Sequence, residues 1–407
     1  MAAVAAGLEA PARAGESVRA QAGSIAPMDG LRGVAVAWIV LFHFLVLGSA
    51  ATDPWIAAVA RVPTLEAAIR GGPFAVDLFF LLSGFLLSLP WLLAARRGRP
   101  APDVRRFYAR RFWRIVPAYY VQLAALFVVV MPLLHGLAYW RSDLYVYAFN
   151  ALAHALFLHN VTPLTSGSLG ANGALWTLAV EAQFYALLPL LGPLFARAPW
   201  RSLALSVAIS AAWVAGSQHG FDALVRAGME LGRHWQWPED AIRRLLAIQF
   251  PAWLAHFALG AALARAWLGW RPNTGRYAPA MLFWACIAIL AAALAGGLRP
   301  LGELSWLVPV GALGGIMLAA ATGRAGFAAT ALGRGPLAFL GRISYSAYLW
   351  HLPLLLVLQR HAHVAPWALL PLYLASVISI GWLSWRWIEQ PFMRRHAHGS
   401  ASPRPAP

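Results

Sequence analysis

The chain has 407 residues, with 32 basic and 15 acidic side chains giving a net charge of +17, yet 60% of it is hydrophobic, 13% aromatic and only 12% charged. Soluble globular proteins average about 45–50% apolar and about 25% charged residues, so an ordinary soluble fold is excluded, and 20 Trp with 20 Phe exclude a disordered chain. Binding to nucleic acid would need a basic face on a soluble fold, for which the apolar runs leave no room, and the remaining class is an all-α, polytopic membrane protein.

Residues 1–27 contain no apolar core of the signal-peptide kind and read as a flexible tail that stays in the cytoplasm. A helix that crosses a bilayer needs about 20 mostly apolar residues. Such runs occupy 34–50, 74–95, 115–134, 174–196, 202–217, 248–268, 278–297, 304–322, 338–358 and 366–388. An eleventh, 144–160, is short and carries Asn150, His154, His159 and Asn160. Arginine placement decides whether it crosses. With ten spans, 22 arginines share the cytoplasmic side with both termini and nine lie opposite, Arg386 falling within the last span. An eleventh crossing would reverse that bias over the second half of the chain, against the positive-inside rule. The expectation is about ten transmembrane helices, with 144–160 as an interfacial or re-entrant segment, which is tolerated at membrane depth only against protein or a watery cavity. On this reading 28–392 form one transmembrane domain and 393–407 a second cytoplasmic tail. The loop 218–247, whose Arg243 and Arg244 are the main exceptions to the bias, lies outside. The lone Cys286 sits in an apolar run, so neither a disulfide framework nor a metal site is expected.

An ionisable residue inside a span costs at least about 2.5–3.5 kcal/mol on insertion scales, so each one needs a reason. In the first span Arg32 and His43 are almost three helical turns apart, which puts both on one face, separated by about 16 Å along the axis. His43 is either a core histidine bonded to a neighbouring helix or a proton acceptor, since histidine changes charge near neutral pH. The second span adds Asp77 and Ser83 as polar lining, and Gly84 permits close helix approach. Arg105, Arg106, Arg110, Arg111 and Arg114 open the third span, with Phe112 and Trp113 among them. They form either an anchor for anionic lipid headgroups or a polyphosphate clamp whose rings stack a base or cover the apolar wall. Glu181 and Gln183 lie about one to two turns below the outer face in the fourth span, as partners for an Arg or His or as ligand-binding groups. The ninth span contributes Arg342, Ser344, Tyr345, Ser346 and His351; in the tenth, Arg386 and Glu389 at i, i+3 spacing predict a salt bridge.

Six ordered blocks resemble the membrane acyltransferase 3 family: Met28 to Gly33 followed by His43, Asp77 to Phe85, Arg111 to Pro117, Leu175 to Glu181 with Phe184 and Tyr185, Ser344 and Tyr345 through Leu349 to Pro353, and Glu389 to Phe392. The family's Arg-x10-His motif is matched by Arg32 and His43, and its Arg-x-x-Arg motif by Arg111 and Arg114. The resemblance implies a bacterial inner-membrane enzyme that moves an acyl group, commonly acetyl, from acyl-CoA on the cytoplasmic side. The recipient would be a hydroxyl of a carbohydrate or other cell-envelope or secreted acceptor. In that scheme His43 acts as base or acyl relay, with Arg32 and Glu181 in support. Arg106, Arg110, Arg111, Arg114 and Trp113 hold the donor, while Asp77, Ser83, Gln183, Tyr345 and His351 contribute to substrate binding. Some members carry a fused esterase-like domain after the last span. Only about 15 residues follow the last block here, so none is expected, and onward transfer would need a separate periplasmic partner. A proton-coupled transporter or flippase would also explain intramembrane His and Glu, but not the arginine cluster beside an aromatic pair.

Overall fold

The computed structural model describes residues 26–137, 144–167, 170–270, 277–296 and 306–398; the expected tails 1–27 and 393–407 lie largely outside them. Eleven helices carry the architecture. They are α1 (Ala26–Leu47), α2 (Phe74–Arg96), α3 (Val104–Ala125, continuing to His135), α4 (Leu144–Ala155), α5 (Trp176–Arg197), α6 (Pro199–His219), α7 (Phe250–Gly269), α8 (Ala278–Leu294), α9 (Leu307–Ala321), α10 (Gly335–His361) and α11 (Pro366–Ser384, continuing into Gln390–His398). Every expected span is thus a helix. Six of them, α1, α2, α3, α5, α7 with the short helix before it, and α11, are long and apolar enough to cross a membrane by length and composition alone. Helices α8 and α9 are shorter but apolar, while α6 and α10 are long and carry serines or ionisable residues. The protein is a polytopic helical membrane bundle.

At 12 residues α4 is about 18 Å long, too short to cross. It turns a polar face inward, with Asn150 and His154 buried, and an apolar face of Leu144, Tyr145 and Leu152 outward. Tyr119 and Tyr120 of α3 donate to the His154 and Ala155 carbonyls at 2.9 and 2.8 Å, which holds the segment against protein.

Local sequence explains the helix boundaries and kinks. Helices α6, α7, α8, α10 and α11 each place Pro in the first turn, where the missing N–H costs nothing. Two π-turns, Leu126–Val130 in α3 and Trp385–Glu389 in α11, each end two residues before a proline, Pro132 and Pro391. Proline cannot donate to the carbonyl four residues back and clashes with it, and the widened turn relieves both problems.

In a bilayer the apolar effect does not drive helices together, so association relies on close packing of small residues. Gly84 of α2 lies against the Phe257 backbone of α7, and Gly260 of α7 against the Leu81 carbonyl and the Phe85 N–H of α2. Helix α1 meets α10 in the same way, Gly33 against the Leu337 carbonyl and Gly341 against the Asp29 carbonyl. The first helix begins at Ala26 and not at 34, so Arg32 sits in its second turn, half-buried, and not at a loose rim. The loop 218–247 folds as two short helices, Asp222–Leu231 and Glu239–Ala247. Its arginines are tied to acids: Arg243 to Glu239 at 2.7 Å and Asp222 at 3.0 Å, and Arg244 to Asp240.

Candidate active site

The contact between Gly33 and Gly341 fixes a register. Ten residues further along each helix stand His43 and His351, and their rings meet, with His351 Nε2 3.1 Å from His43 Nδ1 and ring centroids 5.0 Å apart. The hydrogen bonds assign the protons. His351 Nδ1 lies 2.6 Å from the Tyr348 carbonyl oxygen, which only accepts, so Nδ1 carries the hydrogen and Nε2 keeps its lone pair. His43 Nδ1 lies 3.0 Å from the Ile39 carbonyl and therefore also carries hydrogen, which it shares between that oxygen and His351 Nε2. His43 Nε2 is left unprotonated in the neutral ring. The residue lines a chamber of about 450 Å³ with Gly170, Ala171, Gly173 and Ala174 and the apolar side chains of Phe42, Trp176 and Leu352.

A second, narrow chamber of about 70 Å³ lies toward the other end of the bundle, lined by Arg32, Ser83, Arg114, Glu181, Tyr185 and Tyr345 among others. The histidine chamber falls in the range of small-ligand sites, about 300–1,000 Å³, and the arginine chamber is a narrow cleft below that range. Five helices, α1, α2, α3, α5 and α10, converge here. Glu181 Oε1 accepts from Ser83 Oγ at 2.8 Å and from the Tyr185 hydroxyl, so the carboxylate is held by α2 and by its own helix. Arg32 is close enough to feel the charge of Glu181, and Arg114 lines the same chamber. Tyr345 donates to the Ile115 carbonyl at 2.9 Å and ties α10 to α3. Arg111 approaches the same Glu181 and Tyr185 from a lateral cleft between α3 and α5, where its buried Nε has no hydrogen-bond partner among the described residues. A guanidinium that costly to bury and left without a partner is suited to an anion.

Comparison with known proteins accords with this geometry. Residues 25–386 match the acyltransferase domain of the acyltransferase 3 family. The chain belongs to that family. Relatives include the candidate membrane-bound transacylase BcsY of Komagataeibacter xylinus, 29% identical over 389 residues that cover 89% of this chain and 81% of that protein. The peptidoglycan O-acetyltransferase OatA of Listeria monocytogenes is 27% identical over 389 residues, 90% of this chain. Nodulation protein 10 of Rhizobium leguminosarum is 26% identical over 331 residues, 78% of this chain and 82% of that protein. The chain spans about half the length of OatA, 55%. No solved structure matches it significantly. Membership makes the protein an acyltransferase and answers the transporter alternative.

The structure gathers the expected site residues Arg32, Ser83, Arg114, Glu181 and Tyr345 in one chamber and His43 with His351 at the other. Arg106 and Arg110 are exposed at the start of α3, outside both. Trp113 stacks on Phe392 with centroids 5.6 Å apart and planes 5° from parallel, which joins α3 to α11. Asp77 faces away from both chambers and pairs with His256 of α7 at 2.7 Å. Gln183 Nε2 reaches Asn160 Oδ1 at 3.4 Å and helps seat the loop after α4. The expected Arg386–Glu389 bridge does not form: Arg386 turns outward to Gln390 at 3.3 Å, and Glu389 turns inward to accept from Ser346 at 3.2 Å. The π-turn through Trp385–Glu389 changes the angle between those two side chains, which i, i+3 spacing in a regular helix does not anticipate. His256 was missed by the sequence reading. The same signal that marked His43, an ionisable residue alone in an apolar run, could have found it and required a partner such as Asp77.

Proposed function

We propose that the protein transfers an acyl group, acetyl in the first instance, from acyl-CoA at the cytoplasmic face to a hydroxyl of a carbohydrate or similar cell-envelope or secreted acceptor. The observation that carries this reading is the single free ring nitrogen of His43 in a chamber set against a second chamber that holds two arginines. A base must present a lone pair, and the hydrogen-bond pattern leaves one, at Nε2. His43 Nε2 takes the proton of the acceptor hydroxyl as its oxygen attacks the thioester carbonyl; the carbon–sulfur bond breaks and the CoA thiolate recovers a proton. His351 acts as a positioning residue that keeps hydrogen on Nδ1. Arg111 and Arg114, which converge on Glu181 and Tyr185 from two sides, bind the phosphates of the donor, for which guanidinium forks are well shaped. Arg32 balances charge as the thiolate and oxyanion develop. The name of OatA, a peptidoglycan O-acetyltransferase, supports a carbohydrate hydroxyl as acceptor.

Purified full-length protein in detergent tests this with acetyl-CoA. The wild type is expected to bind CoA and to release free thiol faster when cell-envelope glycan is added. Arg111→Ala with Arg114→Ala should weaken CoA binding by about tenfold or more, the worth of one to two charge-assisted contacts. Unchanged CoA affinity in that variant would return the two arginines to the lipid-anchor role.

A further inference from the structure

Tyr348 stands where the two chambers meet. Among the described residues only Tyr348 and Val76 line both. The tyrosine is buried, and its ring lies edge-on to Phe79 with centroids 5.9 Å apart. Its hydroxyl is latched at the start of α5, 2.9 Å from the Ala174 carbonyl and 2.8 Å from Thr177 Oγ1, and Thr177 itself reaches the same carbonyl at 3.1 Å. Its own carbonyl accepts from His351, so one residue both walls off the arginine chamber and fixes the histidine pair. Gly170, Ala171, Gly173 and Ala174 line the histidine chamber on the other side of the latch. A molecule seated against that wall touches the segment that holds the tyrosine.

This arrangement bears on a competition every acyltransferase faces. A thioester that meets an activated water is hydrolysed, and enzymes suppress the side reaction by keeping water from the reacting carbonyl. Glu181, the carboxylate on the donor side, already accepts two hydroxyl protons on one oxygen, whereas the free lone pair of His43 is on the far side of Tyr348.

We propose that Tyr348 is the specificity-determining partition of the reaction. Latched to Ala174 and Thr177, it keeps the donor carbonyl apart from His43 and from solvent; an acceptor seated against Gly170 to Ala174 loosens the latch and receives the acyl group in place of water. The idea rests on the donor and base assigned above. Its failure mode is defined: in a protein without the partition, water enters, His43 takes its proton, the water oxygen bonds to the acyl carbon, the carbon–sulfur bond breaks, and the thiolate is protonated as free CoA.

The experiment needs no knowledge of the acceptor. Purified full-length protein is given acetyl-CoA alone, and thiol release is followed together with CoA affinity. Tyr348→Ala is expected to release thiol about tenfold faster than the wild type with CoA affinity unchanged. Tyr348→Phe and Thr177→Val, which keep the ring and weaken only the latch, should give smaller rises of about two- to threefold. Adding His43→Ala to Tyr348→Ala should abolish the gain. The partition is overturned if Tyr348→Ala binds CoA normally and releases thiol no faster than the wild type, if both milder variants stay at the wild-type rate, or if the gain survives the loss of His43. A wild-type protein that binds no CoA would overturn the donor assignment beneath it, a separate and distinguishable outcome.

Discussion

The proton on His43 Nδ1 decides which end of the ring can act. Two acceptors, the Ile39 carbonyl and His351 Nε2, compete for that one hydrogen, and the second is available only because His351 spends its own on Tyr348. His351→Ala removes one of the two and frees the ring to turn. Turnover should fall by about tenfold or more with CoA affinity unchanged, while His351→Asn, whose side-chain oxygen also accepts, should recover part of the loss. Equal turnover in the Ala and Asn variants would remove the positioning role. The sequence made His43 legible, since a lone ionisable group eleven residues from Arg32 stands out in an apolar span. It did not make His351 legible as a partner, because a contact across 308 positions has no local signal. Trp113 shows the reverse case: its sequence neighbours suggested a donor-stacking ring, and only the packing of α3 on α11 reveals Phe392 as its partner.

At the scale of helices, the site depends on the register of α1 against α10. Gly33 and Gly341 allow the backbones to touch, and the histidine contact lies ten residues along from each. A methyl group on Gly341 would run into the Asp29 carbonyl, so Gly341→Ala should force the helices apart at a cost of about 1–3 kcal/mol. The expected result is a lower unfolding temperature in detergent together with reduced turnover. An unchanged unfolding temperature would show that α1 and α10 tolerate a wider gap. Hydrophobic run length was enough to place a helix in each of the ten expected runs, six of which are long and apolar enough to cross a membrane. Helix ends were less legible, as α1, α3 and α10 begin at Ala26, Val104 and Gly335, ahead of the apolar runs that start at 34, 115 and 338. The inward turn of Glu389 was not legible, because a π-turn is a response to Pro391 that regular spacing cannot express.

Across the whole molecule, charge is mainly an address. Of 32 arginines, 22 fall on the side assigned to the cytoplasm, and of the nine opposite, Arg243 and Arg244 are held by Asp222, Glu239 and Asp240. That assignment puts 218–247 outside the cell. A cysteine introduced at exposed Arg233 should react with a membrane-impermeant maleimide in intact cells, against a background where Cys286 is buried. Labelling only after permeabilisation would invert the orientation and move the arginine chamber to the wrong side for a cytoplasmic donor. Under the proposed function, the same orientation would bring donor from one face and acceptor from the other, with His43 lining the chamber on the acceptor side. The most direct test of that account is His43→Ala in purified protein supplied with acetyl-CoA and envelope glycan, with CoA binding and thiol release measured side by side. Binding at wild-type affinity with acceptor-dependent release reduced by about a hundredfold or more is the predicted result, and near-normal release by the variant would contradict it.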